Sequence, residues 1–263
     1  MDLDGCVVQV YDDGPRDASV IVLVHGSPGS ARSWNSMLPV LTEFHRVIRI
    51  DLVGHGRSGA PEGGDYGLAT QSGRVAAALD ARGVRRAIMV GHSIGGLVVT
   101  AIAEQRPDLV IALVLVSTGP HIDAFIRQGS AIGPDQWPLT DQLVREVVGA
   151  ASSYAGFDIP QHVVEDVHGM AHHAFTATAE AALDYLRQRS LPERLHGLGK
   201  PILVVFGDED RRWLPSAAAD YRAVADAEVE MLPGVGHSPL LEHPLGTAFV
   251  LLEFTGVHVP WAD

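Results

Sequence analysis

The stretch Val90-Gly91-His92-Ser93-Ile94-Gly95-Gly96 constrains this chain more than any other. It follows Arg86-Ala87-Ile88-Met89-Val90, a short apolar run of the kind that forms a fully buried strand. It precedes Leu97 to Gln105, which reads as a helix closed by Pro107. A serine between two glycines at a strand-to-helix switch is the nucleophile-elbow pattern G-x-S-x-G. So tight a turn would drive Cβ atoms at Gly91 and Gly95 into neighbouring backbone, and it holds Ser93 in a strained φ/ψ. The strain lifts the hydroxyl clear of the sheet, and the helix N-terminus behind it favours developing negative charge.

The flanking sequence repeats this rhythm. Ser19 to Val24, Val47 to Ile50, Ile111 to Val116, Pro201 to Phe206 and Glu228 to Leu232 read as strands. Helical patterns run through Trp34, Met37, Leu38 and Leu41, from Ala69 to Ala81, from Ser216 to Val224, and in an amphipathic segment from Leu245 to Phe254. The alternation predicts an α/β protein with a doubly wound, mostly parallel sheet, whose ligands bind outside the carboxyl ends of the strands. The rhythm breaks between Gly119 and Gly199, where only helical patterns occur: Thr140 to Ala151, Gln161 to Ala171 and Ala177 to Gln188. The expected organisation is a core of residues 1–118 and 200–263 with a helical cap inserted at 119–199.

Composition excludes several function classes. The 32 acidic against 19 basic residues, a formal charge of -13, argue against a phosphate-backbone binder, which needs clustered Lys and Arg. A single cysteine, Cys6, leaves no disulfide framework and no thiolate metal site. No signal-peptide pattern and no apolar run of membrane-spanning length are visible, so a cytoplasmic protein is the default expectation.

Serine at its free pKa is a poor nucleophile, so it needs a histidine base, and that base needs an orienting carboxylate. Of the 13 histidines, only His237 sits in a glycine-rich loop just past a late strand. Gly207-Asp208-Glu209-Asp210 offers three carboxylates after another strand. An oxyanion needs two N–H donors. One is expected from Ile94, next to the nucleophile. The other is expected from Ser27, since Pro28 has none to give. His25, Trp34, His92, Phe125 and Trp137 are candidates for the pocket wall. His168, His172 and His173, with Glu165 and Asp166, lack a third-ligand pattern, so no metal and no cofactor are expected.

Taken together, these motifs resemble the α/β-hydrolase family over nearly the whole chain. The oxyanion loop corresponds to His25-Gly26-Ser27-Pro28-Gly29-Ser30, and D-x-x-G-x-G-x-S to Asp51 through Ser58. The elbow is Gly91 to Gly96, the acid motif G-x-x-D is Gly207 to Asp210, and the histidine loop is Gly236-His237. The resemblance implies Asp210 as the acid, rather than Asp208 or Glu209. The family's N-terminal hairpin looks reduced to one strand at Cys6 to Tyr11. Serine at the elbow argues against the dehalogenases and epoxide hydrolases of the family, which carry aspartate there. What the resemblance implies is a serine hydrolase acting on a small to medium, largely apolar carboxylic ester, lactone or thioester. The rivals are carbon–carbon bond hydrolysis or a non-hydrolytic reaction on the same triad, and a ligand receptor that keeps the pocket.

Overall fold

The computed structural model describes residues 1–3, 5–127, 132–153 and 156–258. Nine strands are present among them: β1 (Asp2–Leu3), β2 (Cys6–Val7), β3 (Val10–Asp13), β4 (Val20–Val24), β5 (Arg46–Ile50), β6 (Ala87–His92), β7 (Val110–Val116), β8 (Ile202–Gly207) and β9 (Ala227–Leu232). The α-helices are α1 (Leu38–Leu41), α2 (Leu68–Asp80), α3 (Ile94–Gln105), α4 (Asp141–Gly149), α5 (Gln161–Gly169), α6 (His172–Gln188), α7 (Leu191–Leu195), α8 (Pro239–Glu242) and α9 (Pro244–His258).

Seven strands form one sheet in the order β3-β5-β4-β6-β7-β8-β9, parallel except for β3, which pairs antiparallel with β5. The continuous β-branched runs are explained by burial on both faces, because side chains alternate from one face to the other. Val22, Val24, Met89, Leu113, Leu115 and Val204 pack with α2 and α3 on one side. Ile21, Leu23, Ile88, Val90, Val114 and Val205 pack on the other with Trp34, Met37 and α9. Between β7 and β8 the described residues form helices and turns and no strand of the sheet, while 128–131 and 154–155 of that span lie outside the described residues.

Two expectations need correction. The Cys6 to Tyr11 run is not one strand: Cys6–Val7 pairs with Asp2–Leu3 in a separate ribbon, and Val10–Asp13 forms the edge of the main sheet. The N-terminal hairpin is therefore present. The helix through Trp34 is mostly a 3-10 helix over Ala31–Met37, capped by the Ser30 hydroxyl. No helix among the described residues is long and apolar enough to cross a membrane.

The segment between β7 and β8 is hydrogen-bonded to the core at several places. Asp166 of α5 accepts from Ser30 Oγ at 2.6 Å and from Arg32 Nε at 3.1 Å, beside the loop after β4. Glu104 of α3 accepts from Tyr185 Oη at 2.7 Å and from Arg194 Nη1 at 3.2 Å. Within that segment the Leu191 N–H donates to Pro120 O at 2.7 Å. Its own small core comprises Leu139, Val144, Ile159, Val163, Val164 and Val167.

Candidate active site

The turn after β6 is as tight as its glycines require. A Cβ on Gly91 would lie 2.3 Å from the Gly95 carbonyl, and one on Gly95 would lie 2.3 Å from Val24 O. Ser93 takes φ 52° and ψ -117°, a conformation that costs on the order of 1–3 kcal/mol and persists only because its surroundings hold it. Those surroundings are the Ser93 N–H donating to Val116 O at 2.9 Å and Thr118 Oγ1 donating to Ser93 O at 3.2 Å.

The residues drawn from three distant loops meet at this turn. His237 Nε2 lies 3.1 Å from Ser93 Oγ, and His237 Nδ1 lies 2.9 Å from Asp210 Oδ2. With a carboxylate at Nδ1, that nitrogen carries the proton, and Nε2 is left to accept from the serine hydroxyl. The other Asp210 oxygen accepts from the Arg212 N–H at 2.7 Å and the Trp213 N–H at 3.0 Å, so the carboxylate is fixed in the loop. Asp210 is buried, whereas Asp208 and Glu209 are exposed. Asp208 accepts from the Gly234 N–H at 2.7 Å, which braces the acid loop against the histidine loop.

The loop after β4 lies against the elbow. His25 Nε2 accepts from the Leu52 N–H at 3.0 Å, so its proton is on Nδ1, which donates to Gly26 O at 2.7 Å. Gly26 O and the Ser27 N–H belong to one peptide, so this bond also orients that N–H. Among the described residues, nothing accepts from the N–H of Ser27 or of Ile94.

The pocket candidates divide. His25 and Trp34 are wholly buried. Trp34 packs with Met37 and Leu41 on the face of the sheet that carries α9, which removes it from the pocket wall. The periodicity that predicted its helix carries no information about which face the helix covers. Phe125 packs edge-on against Trp213, with ring centroids 5.1 Å apart. Trp137 stacks on Phe175 at 5.5 Å and donates from Nε1 to Met170 O. Trp137, Phe175, Ile132, Val148, Val167 and Pro28 line a wholly apolar cleft with about 10 Å³ of free volume. His168, His172 and His173 go to separate partners: Asp141, Ile132 O and Tyr66.

Sequence reasoning assigned no role to three further groups. Asp51 accepts from the Ala31 N–H at 2.7 Å and the Arg57 N–H at 2.9 Å, joining the loops after β4 and β5. Glu242 accepts from the N–H groups of Gly236, Ser238 and Ser153 and so frames His237. His55 Nε2 lies 2.9 Å from Ser27 Oγ. Asp51 and His55 stand inside a motif that was visible, and Glu242 carries no local signal.

Burial, reinforced by His25, pushes the His55 pKa down to about 3, and burial, reinforced by His237, does the same to His92. Both are neutral in the folded protein, while an unfolded histidine titrates near 6.5. Above pH 6.5 neither state is protonated and the full stability is present. As pH falls from 6.5 toward 3, only the unfolded chain takes up these protons, so stability is lost. The two together should cost roughly 2–3 kcal/mol between pH 7.5 and 5.5. Urea midpoints at the two pH values measure this, and equal midpoints would refute it.

Comparisons with known proteins agree with this fold. A family model described as the alpha/beta hydrolase fold matches residues 19–244. A non-heme chloroperoxidase of Streptomyces lividans is 30% identical over 262 residues, covering 92% of this chain and 93% of that one. Two solved structures share the fold. The enol-lactonase from Burkholderia xenovorans has a TM-score of 0.77 at 23% identity, covering 95% of this chain and 97% of that one. A meta-cleavage product hydrolase from Pseudomonas fluorescens has a TM-score of 0.79 at 19% identity, covering 96% and 95%.

Proposed function

The chain belongs to the α/β-hydrolase family, and from that premise we propose that it is a serine hydrolase cleaving a carboxylic ester, lactone or thioester through an acyl-enzyme. The observation that carries this reading is the hydrogen-bonded chain from Ser93 Oγ through His237 to Asp210, beside two open N–H groups. Ser93 Oγ attacks the acyl carbonyl as His237 Nε2 takes its proton, and Asp210 stabilises the imidazolium. The Ser27 and Ile94 N–H groups hold the oxyanion, a contribution of about 2.7–4 kcal/mol per donor in comparable sites. His237 then protonates the leaving group, and water activated by the same nitrogen releases the acid.

Residues 119–199 act in this reading as the cap, and the apolar cleft beneath α4 and α5 takes the acyl group. Its lining carries no charge to match a second polar group on the substrate. Because about 10 Å³ is roughly what a single water needs, an acyl chain enters only as cap side chains move aside. Trp137→Ala should therefore favour longer acyl chains, raising kcat/KM for p-nitrophenyl octanoate over the butyrate roughly tenfold. An unchanged ratio would remove Trp137 from the acyl site.

A second reading, a non-hydrolytic reaction on the same triad, draws on the similarity to the chloroperoxidase. The decisive experiment is rapid mixing with p-nitrophenyl butyrate, followed by mass mapping of a fluorophosphonate adduct. A burst of one equivalent of nitrophenolate per chain, with the adduct on Ser93, is the expected result. Turnover with the adduct on another residue, or with none, would overturn the assignment.

A further inference from the structure

His92, immediately before the nucleophile, is the last residue of β6 and pairs with Val116. Its ring is nearly buried, and its Nε2 donates to the backbone carbonyl of His237 at 2.8 Å. The bond joins residues 145 positions apart. On its other side the ring lies against Gly26, where a Cβ would come 2.8 Å from His92 Nδ1. The Gly26–Ser27 peptide carries the open N–H described above. The His92 and His237 rings stand 5.1 Å apart and tilted, so neither stacks flat on the other. The remaining backbone group of His237, its N–H, donates to Ala151 O of the helical insertion at 3.0 Å.

From this juxtaposition we propose that His92 is a positioning residue, a neutral N–H donor that holds the histidine loop and the oxyanion loop at fixed distances from Ser93. It touches no reacting atom. It acts through the backbone of His237, whose imidazole must reach both Ser93 Oγ and Asp210 Oδ2, and through the peptide of Gly26. A shift of about 1 Å in such a base costs on the order of 10²-fold in rate while leaving substrate binding largely alone. Loss of the donor also leaves a buried carbonyl unpaired, which favours movement of the loop. The neutral state of His92 fits the role, since burial and the nearby His237 hold its pKa at about 3 and one ring nitrogen keeps its proton throughout the working range.

This inference rests on the serine-hydrolase reading and deepens it. The test is steady-state turnover of p-nitrophenyl butyrate by the full chain, normalised to folded protein by circular dichroism. His92→Phe keeps the ring volume and removes the donor. It should lower kcat 10- to 100-fold with KM within about threefold. His92→Gln can place an amide N–H near the Nε2 position and should recover at least about a third of the wild-type kcat. A purely structural side chain would show no such rescue. If His92→Phe fails to fold, His92→Asn, whose amide is too short to reach His237 O, is read against His92→Gln in its place. Equal kcat in the donor and non-donor variants, or a loss confined to KM, would overturn the proposal. Ser93→Ala measured alongside separates the two claims. If it still turns over the ester, the serine-hydrolase reading fails. If it is inactive while His92→Phe is not impaired, only the role of His92 fails.

Discussion

Exchanging Ser93 for alanine should lower kcat on a short-chain p-nitrophenyl ester by on the order of 10⁴–10⁶, with no burst and an intact fold. The fold survives because, among the described residues, the Ser93 side chain makes only one hydrogen bond, to His237 Nε2. The positive φ at Ser93 is imposed by the glycines around it and by its own backbone bonds to Val116 and Thr118, which alanine keeps. The melting temperature should therefore move by no more than a few degrees. In the proposed mechanism, what remains of the rate comes from the two oxyanion donors and from binding, neither of which needs the hydroxyl. A variant that keeps the wild-type burst would show that another group attacks. A variant that fails to fold would show that the hydroxyl holds the turn together.

The parts of this molecule that were legible in its sequence are those whose cause is local. Buried parallel strands need apolar runs, so Val20–Val24, Val110–Val116 and Ile202–Gly207 lie within about a residue of the runs that predicted them. The elbow was legible because its two glycines are forced by contacts within the turn and with the neighbouring strand. His237 was legible through the glycine beside it. What was not legible depends on long-range packing. Cys6 to Tyr11 has the composition of one strand, and only its partners, Asp2–Leu3 and Val47–Ile50, divide it in two. Trp34 has the same helical spacing whether it faces the core or a pocket.

The last helix makes the same point. Leu245 to Phe254 reads as amphipathic, yet α9 also places Leu245, Phe249 and Val257 on its exposed face. The hydrogen bond from His92 to the backbone of His237 has no sequence signature, because any residue supplies a carbonyl.

Asp210→Asn should lower kcat by about 10³–10⁴ while Asp208→Asn leaves it within about twofold, and the reason lies in how each carboxylate is committed. Asp210 Oδ1 accepts two backbone N–H groups, from Arg212 and Trp213. In the asparagine variant the carbonyl oxygen must stay at that position, because an amide NH₂ there would face two donors. The amide nitrogen is then forced into the place of Oδ2, opposite His237 Nδ1. Two donors cannot share that contact, so Nδ1 gives up its proton and the imidazole is protonated at Nε2, the nitrogen facing Ser93 Oγ. A base protonated on that side cannot accept the serine proton. Asp208 lies on the solvent side of the loop, and its Oδ1 accepts from the Gly234 N–H, which an asparagine carbonyl accepts equally well. Asp208→Ala, by contrast, should lose that brace and about 1 kcal/mol of stability, seen as a lower urea midpoint with kcat little changed. If Asp208→Asn abolishes turnover and Asp210→Asn leaves it near wild type, the acid of the triad is Asp208, and the two loops do not work as their hydrogen bonds imply.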